Sequence, residues 1–102
     1  MLKLIILIMF GLIFPKDAAD SFSINKESKI EVYSALFWAP CKEAKKLLQS
    51  RGIDFETKMI TFSRKNNQEL IDRTGGKGSL PQIFIDEKYF GGLTELKKYF
   101  ND

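Results

Sequence analysis

The chain has 102 residues, of which 44% are apolar, so it can bury the core of one domain and is too short for two. Its net charge of +3 comes from 16 basic and 13 acidic residues spread along the chain, which gives no reason to expect a nucleic-acid partner. It has no histidine and one cysteine, which excludes histidine acid–base catalysis, most zinc sites and an internal disulfide.

Residues 1–19 are expected to form a separate unit. They contain a basic start, eleven apolar residues from Leu4 to Phe14, and then a proline and small residues. At about 1.5 Å per residue, a helical run of this length spans roughly half of a ~30 Å hydrocarbon core. The pattern is typical of a secretory signal peptide. A short membrane anchor at residues 4–14 and a buried element of the fold are the alternatives.

Either of the first two interpretations places the rest of the chain outside the cytosol, in the periplasm or the secretory pathway, or holds it at a membrane through this segment alone. Residues 20–28, with the sequence DSFSINKES, are polar and are interpreted as a linker. A domain is expected from residue 29 to residue 102.

Apolar periodicity and turn residues predict seven elements in this domain. In the second helix Asn66 and Glu69 have the spacing of a capping box, Leu70 and Ile71 are the expected apolar contacts, and Gly75 ends the helix. The elements, in chain order, are a strand at 29–34, a helix from Pro40 to Gly52, a strand at 53–60, a helix within 63–76, a strand at 80–86, a short strand at 89–90 and a helix at 93–100.

The order β-α-β-α-β-β-α defines an α/β fold. The first two strands flank a helix and should pair in parallel through a right-handed crossover. The last two strands should form a hairpin. A four-stranded mixed sheet flanked by three helices, with helices on both faces, accounts for every apolar stripe.

Four sequence blocks resemble the thioredoxin fold and, more closely, the glutaredoxin family: EVYS, AKKLLQSRGIDFE, SLPQIFID and YFGGLTEL. The resemblance covers about residues 29 to 101. It implies a thioredoxin-like fold and a thiol–disulfide oxidoreductase that serves cell redox homeostasis. It also implies glutathione as a possible co-substrate, with no metal.

The resemblance also implies an altered active site. Aligned without gaps from Tyr33 to Leu48, the segment WAPC falls on the family's Cys-Pro-Tyr-Cys. Trp38 then stands in the place of the nucleophile and Cys41 in the resolving place. An alignment to the thioredoxin pattern, with four residues missing, also matches Cys41 to the second cysteine. Cys41 is therefore the candidate catalytic thiol.

Two opposing effects act on Cys41. The helix N-terminus, together with Lys42 and Lys45, favours its thiolate, whereas its place at the start of an apolar stripe suggests burial, which disfavours the charged form. A reactive thiol and a small packed side chain both remain open, and a metal or iron–sulfur ligand is disfavoured. Trp38 is either an exposed platform for a partner or a ring folded over the helix end.

The resemblance implies a cis peptide bond before Pro81, which would expose the backbone N–H and C=O of Leu80 to an extended peptide such as glutathione. The implied glutathione contacts are Ser79, Leu80, Pro81, Leu93 and Thr94.

The implied glutathione site departs from the family pattern at three positions. Ala35 replaces the family's lysine, Pro40 replaces its tyrosine, and Thr94 replaces its acidic residue. Lys77 and Glu95 are candidate substitutes for missing charges, or else ordinary solvated side chains.

Two functions follow from the residues and the resemblance. The first is glutathione-linked disulfide reduction or exchange through Cys41 alone, acting on disulfide-containing proteins or glutathione mixed disulfides. The second is a non-catalytic exported binding module that holds a peptide or partner in the groove beside Trp38 and Pro81. A monomer is expected in both cases.

Overall fold

The computed structural model describes residues 22–101. Its seven elements are β1 (Ile30–Ser34), α1 (Ala39–Ser50), β2 (Glu56–Met59), α2 (Arg64–Thr74), β3 (Gln82–Ile85), β4 (Lys88–Gly91) and α3 (Leu93–Phe100). The export signal or anchor expected in residues 1–19 lies outside the described residues. Within residues 22–101, no helix is both long and apolar enough to cross a bilayer.

The four strands form one mixed sheet in the order β2-β1-β3-β4. β1 pairs in parallel with β2, with Glu31 opposite Glu56, and antiparallel with β3, with Val32 opposite Ile83. β3 and β4 form the expected antiparallel hairpin. The predicted fold class is confirmed, and the parallel pair puts the loops that follow β1 and β2 at the same edge of the sheet.

Alternate residues of β1 supply two separate cores, because successive side chains in a strand point to opposite faces. Ile30 and Val32 pack with α1 and α3, whereas Tyr33 packs against α2. The first core holds Ile30, Val32, Ala44, Leu48, Ile83, Ile85, Phe90 and Leu96, and the second holds Tyr33, Leu70 and Phe84. Helices therefore cover both faces, and burial of these side chains is the main stabilising term.

The second helix begins differently from the expectation. Ser63 is the N-cap and its Oγ accepts the Asn66 N–H at 3.2 Å, so the capping box at Asn66 and Glu69 was wrong. Ser63 precedes Asn66 by three residues, the distance at which a capping side chain reaches an unpaired amide of the first turn. Glu69 lies one turn further along and contacts β1 and β2 instead. Ile71, an expected apolar contact, is 40% exposed.

A buried carboxylate joins β1 to its neighbours. Glu31 is 2% exposed, and its oxygens lie 3.0 Å from Lys58 Nζ and 3.2 Å from Arg73 Nη2. Lys58 also contacts Glu69 at 2.6 Å, and the Tyr33 hydroxyl bonds both Glu69 and Arg73. The network ties α2 and β2 to the central strand through Glu31, whose carboxylate is removed from bulk water.

The stretch at residues 22–28, interpreted as a linker, contains no helix or strand. The side chains of Phe22 and Ile24 nevertheless pack on the first core. The ring centroids of Phe22 and Phe90 lie 5.2 Å apart, and the backbone N–H of Ile24 donates to the Tyr99 hydroxyl at 3.0 Å. Packed structure therefore extends ahead of residue 29.

Candidate functional site

Three helix N-termini meet at one edge of the sheet. The loops after β1 and β2 lead into α1 and α2, and α3 begins directly after β4, which runs in the same direction as β1. Unpaired backbone N–H groups and the helix dipoles make such an edge positive. The segment that precedes β3, with Leu80 and Pro81, reaches the same edge and completes the candidate site.

Cys41 is held in the first turn of α1. The helix begins at Ala39, one residue before the expected start, and Pro40 follows where its missing N–H costs no helical bond. The N–H of Cys41 donates to the Trp38 carbonyl at 3.1 Å. The side chain lies on the same buried face as Ala44 and Leu48 and is 1% exposed. The helical stripe therefore turns the thiol inward.

Trp38 is the N-cap of α1 and supplies no side-chain cap. Its indole N–H instead donates to the backbone carbonyl of Leu80 at 2.9 Å, and the residue is 49% exposed. The ring is thus both partly exposed and bound to the loop opposite, which combines the two alternatives considered from the sequence. This hydrogen bond occupies the carbonyl of the Leu80–Pro81 peptide bond itself.

The Leu80–Pro81 peptide bond is cis, and Pro81 is buried. Close approach of the chain explains the glycine pair that follows β4. A Cβ on Gly92 would lie 3.0 Å from the Pro81 carbonyl oxygen, and a Cβ on Gly91, whose φ is +139°, would lie 2.6 Å from Glu95 Cγ. The two glycines therefore let the start of α3 lie against the Pro81 loop.

The residues expected to bind glutathione come together in one groove of about 460 Å³. Trp38 and Pro40 form one wall, and the Pro81 loop and the start of α3 form the others. All five expected contacts line the groove, namely Ser79, Leu80, Pro81, Leu93 and Thr94, and Tyr89, Gly92 and Glu95 join them.

Of the two candidate substitutes for the missing charges, Glu95 lines the groove and Lys77 does not. Glu95 lines the groove, but its Oε1 accepts the Gly92 N–H at 2.7 Å and so caps α3. Lys77 lies on a separate cavity beside α2 rather than on the groove. Burial, and secondarily the charge of Glu95, raise the pKa of the Tyr89 hydroxyl.

Cys41 lines a second cavity, of about 490 Å³, rather than the groove. Trp38 is common to both cavities. The second cavity is lined by Ala35, Leu36, Phe37, Trp38, Ala39, Cys41, Lys42, Lys45 and Met59. Because Cys41 is 1% exposed and does not line the groove, its thiol is not directly accessible to a ligand in the groove.

Two exposed rings at this edge were not among the residues singled out from the sequence. Phe37 is 100% exposed and Phe62 is 94% exposed. Each occupies the turn before a helix, and only the turn position next to a predicted N-cap could have suggested them. Among the described residues, no three histidine, cysteine, aspartate or glutamate side chains come together as a candidate metal site.

A parallel β1–α1–β2 unit, a β-hairpin, a cis-proline loop and a cysteine in the first turn of α1 define a thioredoxin-like protein. The fold is shared with solved glutaredoxins. Glutaredoxin 1 from Francisella tularensis, in complex with cacodylate, superposes with a TM-score of 0.59 at 27% identity, covering 72% of this chain and 93% of that one. A buckwheat glutaredoxin–glutathione complex superposes with a TM-score of 0.63 at 22% identity, covering 76% and 72%.

The chain belongs to the glutaredoxin family. The glutaredoxin family model matches residues 30–90, more than half of the chain. Glutaredoxin 3 of Escherichia coli strain K12 is 35% identical over 69 residues, which cover 68% of this chain and 82% of that protein. Family and fold together support a thiol–disulfide oxidoreductase.

Proposed function

We propose that this protein is a glutathione-linked thiol–disulfide oxidoreductase that uses Cys41 as its single redox thiol. The observation that carries the proposal is the groove around Pro81, which gathers Ser79, Leu80, Leu93 and Thr94 at the edge where α1 begins. An extended tripeptide fits such a groove because strand-like bonds to backbone groups bind it whatever its side chains. The buckwheat relative is solved with glutathione bound.

The chemistry proceeds by two exchanges. The Cys41 thiolate attacks the glutathione sulfur of a mixed disulfide, the S–S bond breaks, and the other thiol leaves as a thiolate that takes up a proton. A second glutathione thiolate then attacks the Cys41–glutathione disulfide, which releases oxidised glutathione and restores the Cys41 thiolate. The net reaction converts the mixed disulfide and one free glutathione into the released thiol and oxidised glutathione, so the free glutathione is the reductant and no second cysteine in the chain is required.

Trp38 controls access to this reaction. The thiol is 1% exposed and lines a cavity that shares Trp38 with the groove, so the ring leaves its bond to Leu80 before the sulfur meets a bound disulfide. Lys42 and Lys45 line the cavity that contains Cys41, and their charges, together with the positive end of α1, attract an anionic glutathione disulfide to it.

The test is turnover of a glutathione mixed disulfide with glutathione and glutathione reductase, compared between the natural chain and Cys41→Ser. We expect turnover that Cys41→Ser abolishes, and a Cys41–glutathione adduct detected by mass spectrometry. Absence of both turnover and adduct, in a chain whose circular dichroism shows it folded, would refute the enzymatic proposal.

The second candidate function is a binding module that holds a peptide without redox chemistry. Burial of Cys41 and the bond from Trp38 to Leu80 favour it, because both restrict the thiol. It predicts that glutathione or a peptide binds Cys41→Ser as tightly as the natural chain while neither turns over.

We further propose that residues 1–19 export the domain or hold it at a membrane through residues 4–14. The basic, apolar and small-residue pattern of this segment supports the proposal. Fusion of residues 1–28 to an alkaline phosphatase that lacks its own signal tests it. An inactive, cytosolic fusion would contradict export.

A further inference from the structure

Two phenylalanine rings project into solvent from equivalent turns. Phe37 follows β1 and Phe62 follows β2, and each immediately precedes the N-cap of the next helix. Their φ angles are +59° and +67°, the left-handed region that suits glycine and that a bulky side chain rarely adopts. Neither ring is part of the hydrophobic core, so both add exposed apolar area to the surface of the domain.

The two turns are fastened to each other. The Ile60 N–H donates to the Ser34 carbonyl at 2.8 Å, and the Leu36 N–H donates to Thr61 Oγ1 at 3.1 Å. The rings therefore stand on adjacent turns at one edge of the sheet. We name the surface formed by Leu36, Phe37, Trp38, Met59 and Phe62 the aromatic edge; the cavity of about 490 Å³ that contains Cys41 opens within it.

Four basic residues line the cavity of the aromatic edge or lie directly next to the edge in sequence. Lys42 and Lys45 line its cavity, and Arg64 and Lys65 follow Phe62 in the first turn of α2. None of the four forms an ion pair within residues 22–101. The first turns of α1 and α2 hold no acidic residue, so the helix dipoles add to the positive charge.

The acidic residues nearest in sequence do not balance this charge. Glu43 pairs with Lys97, and Glu69 pairs with Lys58. The aromatic edge is therefore both apolar and positive, which calls for an occupant that is both apolar and negative.

We propose that the aromatic edge docks an apolar, acidic segment of a partner protein. A large apolar side chain of the segment enters the cavity between Leu36 and Met59, and acidic side chains pair with the four cations. Docking at the aromatic edge does not depend on the proposed function. Only the identification of the partner as the disulfide substrate rests on it, and that identification follows from the cavity, which places the docked segment beside Cys41.

The observations favour this occupant over two others. A second copy of the chain would bring two positive surfaces together, at an electrostatic cost. Phe22 and Ser23 lie with Ile85 and Asp86 at the opposite edge of the sheet, so the first described residues leave the aromatic edge uncovered. A concave cavity also suits a discrete side chain better than a lipid surface.

Selection of displayed random 12-residue peptides on the full chain carrying Cys41→Ser tests the proposal without any redox step. We expect enriched peptides that combine Leu, Ile, Phe or Trp with Asp or Glu, and that bind more weakly as salt is raised from 50 to 500 mM. Substitution of both phenylalanines, Phe37→Gly with Phe62→Gly, should weaken binding at least tenfold. Glycine suits both φ angles, so this variant keeps the fold.

Charge reversal provides the matched control. Arg64→Glu with Lys65→Glu should weaken binding at least tenfold, whereas Lys26→Glu with Lys88→Glu, on exposed residues away from the aromatic edge, should change it less than twofold. The proposal fails if no peptide is enriched, if enriched peptides lack acidic residues, or if the phenylalanine variant binds equally well. It also fails if sedimentation shows stronger binding to phosphatidylglycerol vesicles, or if ultracentrifugation shows a dimer through this edge. Loss of turnover with retained peptide binding would refute the proposed function alone.

Discussion

The indole N–H of Trp38 donates to the backbone carbonyl of Leu80 across 2.9 Å, joining residues 42 positions apart. This bond fastens the start of α1 to the cis-proline loop, and Trp38 lines both the groove and the cavity that contains Cys41.

Removal of the Trp38 hydrogen bond should expose Cys41. Trp38→Phe keeps a ring but loses a bond worth about 1 kcal/mol, so the open arrangement should be roughly fivefold more populated. Trp38→Ala should increase it further. The alkylation rate of Cys41 by iodoacetamide, followed by mass spectrometry, measures this population. Phe62→Gly, which removes an exposed ring that lines neither the groove nor the cavity of Cys41, is the control; equal rates in Trp38→Phe and the natural chain would show that the bond does not restrict access.

Restoration of a second thiol should increase activity. In Trp38→Cys the new sulfur stands at the N-cap of α1, where the helix dipole lowers a thiol pKa, and Cys41 is in place to resolve the mixed disulfide. We expect glutathione-dependent disulfide reduction to rise at least roughly tenfold over the natural chain, because the attacking thiolate is now exposed. Trp38→Ser opens the site equally without a thiol, so similar rates in the two variants would attribute the gain to access alone.

Acid should weaken the Glu31 network. Burial alone would raise the Glu31 pKa, but hydrogen bonds from Arg73 and Lys58 outweigh it and lower the pKa below the usual 4.5. Bonds from Lys58 and Tyr33 lower the Glu69 pKa as well. Because the unfolded chain binds these protons more readily, this stabilisation is present above about pH 4.5 and is lost as pH falls through the lowered values.

Glu31→Gln should therefore reduce the free energy of unfolding by roughly 1–3 kcal/mol at pH 7. The difference from the natural chain should shrink as pH falls below 4.5. Urea unfolding at pH 7, 5 and 3.5 measures it, and Glu56→Gln, on an exposed residue of the adjacent strand, is the control. A difference independent of pH would mean that Glu31 contributes through packing rather than charge.

Glycine should stabilise the two turns of the aromatic edge. At φ of +59° and +67°, the side chains of Phe37 and Phe62 are strained and bury almost nothing, so each replacement by glycine should add roughly 0.5–1 kcal/mol of stability. Leu36→Gly, at a neighbouring residue without a positive φ, should instead destabilise. The midpoint of urea unfolding decides; a lower midpoint for both phenylalanine variants would show that the rings make stabilising contacts.

Much of the fold was predictable because local patterns and the tertiary structure agree. The apolar stripe of α1 predicted the burial of Cys41, Ala44 and Leu48 that the structure has. The prediction was wrong at the start of α2, where Ser63 and Asn66 are both suitable N-cap residues within one turn. The side chain of Ser63 caps the helix. The side chain of Glu69 instead accepts hydrogen bonds from Lys58 and Tyr33, residues that sequence spacing does not bring together.

The sequence by itself determined the order of elements and the family, since periodicity and motifs are local properties of the chain. Only the tertiary structure decided that Cys41 faces a different cavity from the groove, that Trp38 reaches Leu80, and that Phe37 and Phe62 share an edge with four cations. These depend on which way side chains turn once distant segments pack, and the packing of the whole domain sets that direction.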